Sequence, residues 1–273
     1  MTEAPPAPRA CVIGWPVRHS RSPMIHGFWL REHGLAGAYE RAEIAPDDFA
    51  AFVAAMSGNG FVGANVTVPH KEAAFRACAF RTPTAEVLGA VNTLWIDGGK
   101  LSGDNTDVAG FLGALDADAP DWDARLKIAV VLGAGGAARA ILHGLKTRGA
   151  MTIRLANRSR ARAEELAAHF GDVEVVDWDR RNAALRDADI LVNTTSLGMK
   201  GQSPLEIDLS LLPKHAVVDD IVYVPLDTPL LAQARARGLR AVGGLGMLLH
   251  QAAPGFERWF GVRPRVSAEL RAL

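Results

Sequence analysis

The fold is decided by residues 127–138, Lys-Ile-Ala-Val-Val-Leu-Gly-Ala-Gly-Gly-Ala-Ala, where an apolar run leads directly into a glycine-rich turn. The run predicts a buried strand over Lys127–Leu132, and a helix is predicted over Gly136–Arg148. Such a turn can bind a dinucleotide, because small residues admit the pyrophosphate and the helix N-terminus supplies amide donors. Glycine-rich strings are often only turns, so the flanking strand and helix carry the prediction. The predicted cofactor contacts are Gly133, Ala134, Gly135, Gly136 and Ala137.

Regular alternation of strands and helices continues after this turn. Strands are predicted at Met151–Ala156, Val173–Val176, Asp189–Asn193, Ala216–Ile221 and Leu239–Val242. Helices are predicted at Ser159–Phe170, Thr228–Arg237 and Gly246–Phe260. Helices between apolar strands indicate a parallel sheet, so the fold class is α/β with a doubly wound, Rossmann-type lobe.

The chain before residue 108 predicts a second α/β lobe with less regular spacing. Strands are predicted at Ala10–Gly14, Phe61–Val68 and Ala90–Ile96. Helices are predicted to begin near Pro23 and at Pro69, because proline suits the first helical position. A length of 273 residues is sufficient for two lobes, each with its own core.

The residues after the second strand of the doubly wound lobe distinguish NADP from NAD. An NAD site usually has an acid there, which binds the ribose 2′-hydroxyl. This chain instead has Asn157-Arg158-Ser159-Arg160-Ala161-Arg162, with no acid and three arginines. The planar arginine fork suits a 2′-phosphate, so the segment favours NADP. The plain alternative is a solvated basic helix start, although basic residues there oppose the helix dipole.

A lysine and an aspartate in the first lobe are candidates for proton transfer. Lys71 is predicted in a first helical turn, and Asp107 at the start of a helix over Val108–Leu115. A surface lysine and a first-turn helix acid are the plain alternatives. Clustered neutral polar residues strengthen the catalytic interpretation, and they suit a polyhydroxylated substrate: Asn65, Thr67, Asn92, Asn105 and Thr106. A proton donor in one lobe and a hydride carrier in the other indicate reversible reduction of a ketone.

Two serines precede the first predicted helix. Ser20 and Ser22 flank Arg21, and their hydroxyls could bind a carboxylate together with nearby amides. Ordinary N-capping by Ser22 is the alternative. His70, next to Lys71, is predicted to be a surface imidazole.

Composition limits the function classes. The formal net charge is zero, so no overall field would attract nucleic acid or an anionic membrane. No apolar run approaches the roughly 20 residues that span a bilayer, and Met1 to Arg9 lacks the apolar region of a secretory signal. Cys11 and Cys78 favour free thiols in a reducing cytoplasm. The eight histidines show no metal-binding spacing, so no metal is predicted.

Several motifs together resemble a known family. They are Val12–Gly14, His19–Pro23, Asn65–Lys71, Gly89–Thr93, Asn105–Asp107, Gly133–Ala137, Asn157–Arg162, Asn193–Met199, Asp220–Tyr223 and Gly244–Gln251. In this order, they make the chain similar to the shikimate dehydrogenases, NADP-dependent enzymes of aromatic amino-acid biosynthesis. The resemblance covers nearly the whole chain.

The resemblance implies reduction of 3-dehydroshikimate to shikimate, with Lys71 as catalytic lysine and Asp107 as its partner. Implied substrate contacts are Ser20, Ser22, Thr67, Asn92, Tyr223 and Gln251, with Asn65 in support. Implied cofactor contacts include Asn157, Arg158, Ser159, Arg162, Ile221, Gly244 and Met247. The implied domains are a substrate-binding domain at 1–107, an NADP-binding domain at 108–243, and C-terminal helices at 244–273 that pack on the first domain.

Some positions depart from the family pattern. They are Trp15, Gly27, Asp104 and Val108. None is Lys71 or Asp107, but substrate preference is less secure, because quinate-active relatives share the same motifs. A quinate or aminoshikimate dehydrogenase therefore stays an alternative, as does a non-catalytic NADP-binding sensor. The predicted partner is a small molecule, and the chain is expected to be a monomer or a homodimer.

Overall fold

The computed structural model describes residues 6–273, and these residues form two compact units. The first unit comprises the described residues up to Thr106 together with Gln251–Leu273. The second unit comprises Asp107–His250. The sequence predicts domain limits at residues 107 and 243, between substrate-binding, NADP-binding and C-terminal parts. These functional domain assignments stay predictions.

The first unit contains a six-stranded mixed sheet. Its strands are Arg9–Gly14 (β1), Ala38–Glu43 (β2), Phe61–Val66 (β3), Phe80–Arg81 (β4), Thr93–Asp97 (β5) and Lys100–Asp104 (β6), in the order β2-β1-β3-β5-β6-β4. Its helices before residue 106 are Ser22–Glu32 (α1), Phe49–Ala54 (α2), Lys71–Ala77 (α3) and Pro83–Leu88 (α4). Strand β1 is parallel to both β2 and β3, so the carboxyl ends of these three strands lie at the same end of the sheet. The loops that lead to Ser20 and Lys71 begin at that end of the sheet.

Several elements of this unit carry no local signal in the sequence. Strand β2 (Ala-Tyr-Glu-Arg-Ala-Glu) lies at the sheet edge and buries only the side chain of Tyr39, so it has no apolar run to detect. Strands β4 and β6 and helices α2 and α4 are short and were also not predicted. The helix predicted to begin at Pro69 begins at Lys71, because the preceding residues form a turn closed by a hydrogen bond from the His70 N–H to the Thr67 carbonyl at 3.0 Å.

The second unit contains a six-stranded parallel sheet. Its strands are Ile128–Leu132 (β7), Thr152–Ala156 (β8), Val173–Val176 (β9), Ile190–Asn193 (β10), Val217–Asp220 (β11) and Arg240–Gly243 (β12), in the order β12-β11-β10-β7-β8-β9. Its helices are Asp107–Asp118 (α5), Gly136–Thr147 (α6), Arg160–Phe170 (α7) and Pro229–Ala236 (α8). The strand order reverses beside β7, and ligands of such sheets bind at the carboxyl ends of the strands at this point.

Both faces of this parallel sheet are covered. Ala129 and Val131 of β7 belong to one buried cluster, which contains residues of α5 and α6. Val130 and Leu132 belong to another cluster, which contains residues of α8. Successive side chains of a strand point to opposite faces, so this division requires a layer on each side. The predicted doubly wound α/β fold is confirmed.

The last two helices are Gly244–Phe260 (α9) and Ala268–Arg271 (α10). Residues from Gln251 onward belong to the first unit, where the indole N–H of Trp29 donates to the Arg265 carbonyl at 2.9 Å. His26 lies in an aromatic cluster with Tyr39, Trp29, Phe256 and Trp259. Across residues 6–273, the helices are too short or too polar to cross a membrane.

Candidate active site

Ser20 and Ser22 lie where the loop after β1 enters α1. Ser22 does not cap this helix, because Arg21 occupies the N-cap position and no side chain makes a cap hydrogen bond. The Ser20 hydroxyl instead donates to the Ser22 hydroxyl at 3.2 Å. The guanidinium of Arg41 donates to the Ser20 carbonyl at 2.7 Å, which holds the loop against β2. Two hydroxyls are thus held together beside one helix start.

The amide of Asn65 is committed to the protein. Its Oδ1 accepts a hydrogen bond from the Tyr39 hydroxyl at 2.6 Å. Its Nδ2 donates to the Thr93 hydroxyl at 3.2 Å and to the Asn92 carbonyl at 3.3 Å. Asn65 therefore supports its neighbours from a buried position. The sequence analysis missed Tyr39, because it lies on the undetected strand β2, and Thr93, because only its neighbour was singled out.

Asn92 is the centre of a second set of hydrogen bonds. Its Oδ1 accepts from the backbone N–H of Thr106 at 2.8 Å and from the Thr93 hydroxyl at 2.9 Å. The Thr106 hydroxyl donates to the Gln251 carbonyl at 2.8 Å. The predicted substrate residues Asn65, Asn92 and Gln251 are therefore brought together within the first unit.

Lys71 is the first residue of α3, and hydrogen bonds fix the backbone around it. The Thr67 N–H donates to the Ile13 carbonyl at 2.9 Å, on the neighbouring strand. The Lys71 carbonyl accepts from the Val91 N–H at 2.9 Å, in the segment before β5. Lys71 is half-buried. Hydrogen bonds to two neighbouring segments thus fix the backbone position of Lys71.

His70 is not at the surface, and that prediction is wrong. The residue is only 2% exposed, and its ring stacks on Phe49 with centroids 4.7 Å apart. Its Nε2 lies 2.8 Å from the Ile44 carbonyl, so this nitrogen must carry the proton to make a hydrogen bond. The imidazole holds the residue before Lys71 in place.

Asp107 is the first residue of α5 and is half-buried. This is the position of a first-turn helix acid, the alternative that the sequence analysis keeps open. The two preceding residues are tied to the first unit: the Asn105 side chain donates to the Ala90 carbonyl at 3.1 Å, and the Thr106 hydroxyl donates to the Gln251 carbonyl at 2.8 Å. The chain is therefore well fixed where it enters the second unit.

The turn after β11 carries Ile221 and Tyr223. It is held by Asp220, whose carboxylate accepts from the Thr228 hydroxyl at 2.6 Å and from the Asn193 amide at 2.9 Å. Burial raises the pKa of Asp220, and these hydrogen bonds oppose the rise. Tyr223 is half-buried, at the carboxyl end of the parallel sheet.

The glycine-rich turn after β7 has the backbone and the space that a pyrophosphate needs. Gly133 has a φ of +103°, and a Cβ there would lie 2.6 Å from the Thr194 hydroxyl, so a larger residue does not fit. At Gly135 and Gly136 an added Cβ would meet nothing within 4 Å among residues 6–273. Both lie exposed at the N-terminus of α6, where amide groups and the helix dipole favour an anion. The residues present therefore fit a dinucleotide.

Asn157 links this turn to the arginine segment. Its Oδ1 accepts from the Ala134 N–H at 3.2 Å, and its Nδ2 donates to the Ser159 carbonyl at 2.8 Å. Ser159 is the N-cap residue of α7, but its side chain makes no cap hydrogen bond. Ala137 is half-buried at the start of α6. The two predicted cofactor segments are thus adjacent in the second unit.

The three arginines after β8 have different surroundings. Arg160 pairs with Glu164 at 2.8 Å and with Asp177 at 2.5 Å, so its charge is already compensated. Arg158 and Arg162 are exposed, and neither has a carboxylate partner in the described part of the chain. Two guanidinium groups, rather than three, therefore suit a 2′-phosphate.

Gly244 and Ile221 are in direct contact. A Cβ at Gly244 would lie 2.0 Å from the Ile221 carbonyl oxygen, so only glycine allows α9 to start this close to the turn. Met247, one turn further along α9, packs with Ile221 against the same buried cluster. The three residues predicted near the nicotinamide are therefore grouped within the second unit.

Family models match most of the chain. Residues 12–94 match the shikimate dehydrogenase substrate-binding domain, residues 120–199 match shikimate/quinate 5-dehydrogenase, and residues 244–273 match the shikimate 5′-dehydrogenase C-terminal domain. The chain belongs to the shikimate dehydrogenase family. A family member from Methylocella silvestris, a shikimate dehydrogenase (NADP⁺), is 62% identical over 98% of this chain and 95% of its own length. Another from Azorhizobium caulinodans is 58% identical over 97% and 95%.

Solved structures of the family have the same fold. A shikimate 5-dehydrogenase from Thermus thermophilus, in complex with NADP(H) and shikimate, is 37% identical with a TM-score of 0.86, over 97% of both chains. A quinate dehydrogenase from Corynebacterium glutamicum, in complex with NAD, is 32% identical with a TM-score of 0.90, over 97% of this chain and 98% of its own. The predicted family, the oxidoreductase class and the NADP cofactor are confirmed, whereas the roles of individual residues stay predictions.

Proposed function

We propose that this protein catalyses the reversible, NADP-linked reduction of 3-dehydroshikimate to shikimate, a step of aromatic amino-acid biosynthesis. One observation carries the proposal. A lysine at a fixed helix start shares a unit with buried neutral polar groups, and the same chain holds an open glycine-rich turn beside two uncompensated arginines. These are the parts that proton transfer to a polyol ketone and NADP binding require.

Lys71 is the proposed proton donor. When bound, NADPH supplies a hydride to the C3 carbonyl carbon. The carbonyl oxygen gains a proton from the Lys71 ammonium, which becomes a neutral amine, and the reverse reaction restores it. Asp107 is the second proposed catalytic group, and it accepts a hydrogen bond from a substrate hydroxyl.

The proposed substrate contacts divide by chemistry. Ser20 and Ser22 bind the carboxylate, because hydroxyl donors suit an acceptor-only group. Neutral polar side chains bind the ring hydroxyls: Thr67, Asn92, Tyr223 and Gln251. Asn65 supports them from its buried position.

The proposed cofactor contacts lie in the second unit. The pyrophosphate binds the backbone at Gly133–Ala137 and the helix start at Gly136. Arg158, Ser159 and Arg162 bind the 2′-phosphate, with Asn157 holding their segment. Ile221, Gly244 and Met247 lie beside the nicotinamide.

A quinate dehydrogenase is the second candidate function. It is favoured by the likeness to the quinate dehydrogenase from Corynebacterium glutamicum. The segment Asn157–Arg162 opposes it, because it carries arginines and no acid for an NAD ribose. Aminoshikimate oxidation and a non-catalytic sensor are the remaining alternatives. The free, buried thiols of Cys11 and Cys78 support a cytoplasmic location.

The test is an absorbance assay of NADPH with 3-dehydroshikimate. The proposal expects substrate-dependent oxidation of NADPH, and oxidation of shikimate with NADP⁺ in the reverse direction. NADPH binding without turnover of any of these substrates would instead support the sensor.

A further inference from the structure

One buried hydroxyl begins a line of hydrogen bonds through the asparagine cluster. The Tyr39 hydroxyl donates to Asn65 Oδ1 at 2.6 Å, and Asn65 Nδ2 donates to the Thr93 hydroxyl at 3.2 Å. The Thr93 hydroxyl in turn donates to Asn92 Oδ1 at 2.9 Å. Hydrogen-bonded side chains therefore run from Tyr39, through Asn65 and Thr93, to Asn92.

Backbone groups fix the direction of each hydrogen bond in this chain. The Asn92 carbonyl can only accept, so the Asn65 atom beside it is the amide nitrogen. The other Asn65 atom is then the oxygen, and Tyr39 must donate to it. At the far end the Thr106 N–H can only donate, so the Asn92 atom beside it is also an oxygen. Without the Tyr39 hydroxyl, the Asn65 amide would lose the hydrogen bond that Oδ1 accepts in this orientation.

The surroundings of Tyr39 keep it a donor. Burial raises the pKa of its phenol well above the ordinary value, so the hydroxyl stays protonated. Its ring stacks on His26 with centroids 3.9 Å apart and planes at 3°. Burial lowers the pKa of His26 to about 3, so this stacked imidazole is neutral. No charge in the stack competes for the phenol proton.

We propose that Tyr39 is a positioning residue for the substrate, which orients the amide of Asn65 and, through Thr93, the amide of Asn92. The proposal rests on the proposed function, because it assumes that these groups bind substrate. Tyr39 itself touches no reacting atom. Its hydroxyl favours the Asn65 orientation in which Oδ1 accepts from Tyr39 and Nδ2 donates to Thr93.

The first test is Tyr39→Phe, which keeps the ring and the stack and removes only the hydroxyl. The expected result is a KM for shikimate raised about tenfold, in line with the loss of one buried hydrogen bond. The kcat should stay within about twofold, and the Kd for NADP⁺ should be unchanged, because the cofactor contacts lie in the second unit.

Trp29→Phe is the matched control. It also removes a ring donor from the aromatic cluster around His26, because the Trp29 indole N–H donates to the Arg265 carbonyl. It leaves the hydrogen bonds from Tyr39 through Asn65 and Thr93 to Asn92 in place. Both variants should lower the Tm, but only Tyr39→Phe should raise the KM. Equal KM values in the two variants would reduce Tyr39 to a packing role and overturn the inference.

A double variant tests whether Tyr39 acts through Asn65. If it does, Tyr39→Phe combined with Asn65→Ala should have the KM of Asn65→Ala alone. Fully multiplicative effects would contradict the inference. Failure of the proposed function looks different, because the wild type would then neither turn over nor bind shikimate by calorimetry.

Discussion

At the residue scale, local sequence predicts where Lys71 lies on its helix but not what surrounds it. Its place at a helix start follows from local sequence. The burial of His70 beside it does not, because the contacts with Phe49 and Ile44 come from segments more than twenty residues away. Tyr39 was missed for the same reason: its partner Asn65 lies on another strand.

Lys71→Ala should lower kcat by about 10²–10⁴, the usual contribution of a general acid or base. The Kd for NADPH should barely change. Steady-state kinetics and a cofactor titration measure both values. Glu72→Ala, the next residue on the same helix and exposed, is the control and should retain activity. Near-normal turnover in the Lys71 variant would remove this lysine from the mechanism.

Asp219 is a buried acid without a complete set of partners. Within residues 6–273 its Oδ2 has no hydrogen-bond partner, and its neighbours in the sheet are Val192 and Val242. Burial raises its pKa well above the ordinary value, and the charges of Asp220 and Asp118 raise it further. In the unfolded chain the carboxyl titrates near pH 4. Above that pH the unfolded chain loses the proton while the folded protein keeps it, so stability falls as pH rises.

Asp219→Asn should therefore raise the Tm, and by more at higher pH. Each pH unit between the two pKa values costs the wild type up to about 1.4 kcal/mol, a Tm difference of about 2–4 °C. Thermal melts of both proteins from pH 5 to pH 8 measure the trend. Asp179→Asn, an exposed acid in the same unit, should show no trend. A difference that is constant with pH would contradict the account.

At the element scale, the parallel sheet of the second unit could be predicted and the mixed sheet of the first could not. Strand β7 is apolar and buried on both faces, β8 has buried apolar residues at Ile153, Leu155 and Ala156, and glycines precede or follow both, so local sequence defines them. Strand β2 is polar and lies at a sheet edge, and its place depends on pairing with β1. Of the three arginines after β8, Arg160 is paired with Asp177, which follows the next strand. Local sequence does not predict this pairing either.

Arg158→Ala should lower kcat/KM for NADP⁺ by about 10–100-fold, the loss expected for a hydrogen bond to a charged group. The value for NAD⁺ should change little, because NAD⁺ has no 2′-phosphate. Arg160→Ala is the control, since this arginine is paired with Glu164 and Asp177. Equal losses with both cofactors would refute the assignment.

At the scale of the whole molecule, one chain carries a cluster of hydroxyl and amide side chains in one unit and a glycine-rich turn after a buried strand in the other. The family, the fold class and NADP follow from the order of motifs, which the comparisons confirm. Substrate choice does not follow, because quinate- and shikimate-active proteins are both similar to this chain.

The most direct test of the account is kcat/KM of the purified protein for shikimate and for quinate, each with NADP⁺ and with NAD⁺. The account predicts the highest value for shikimate with NADP⁺. A higher value for quinate with NAD⁺ would contradict both the proposed substrate and the proposed role of the arginine segment.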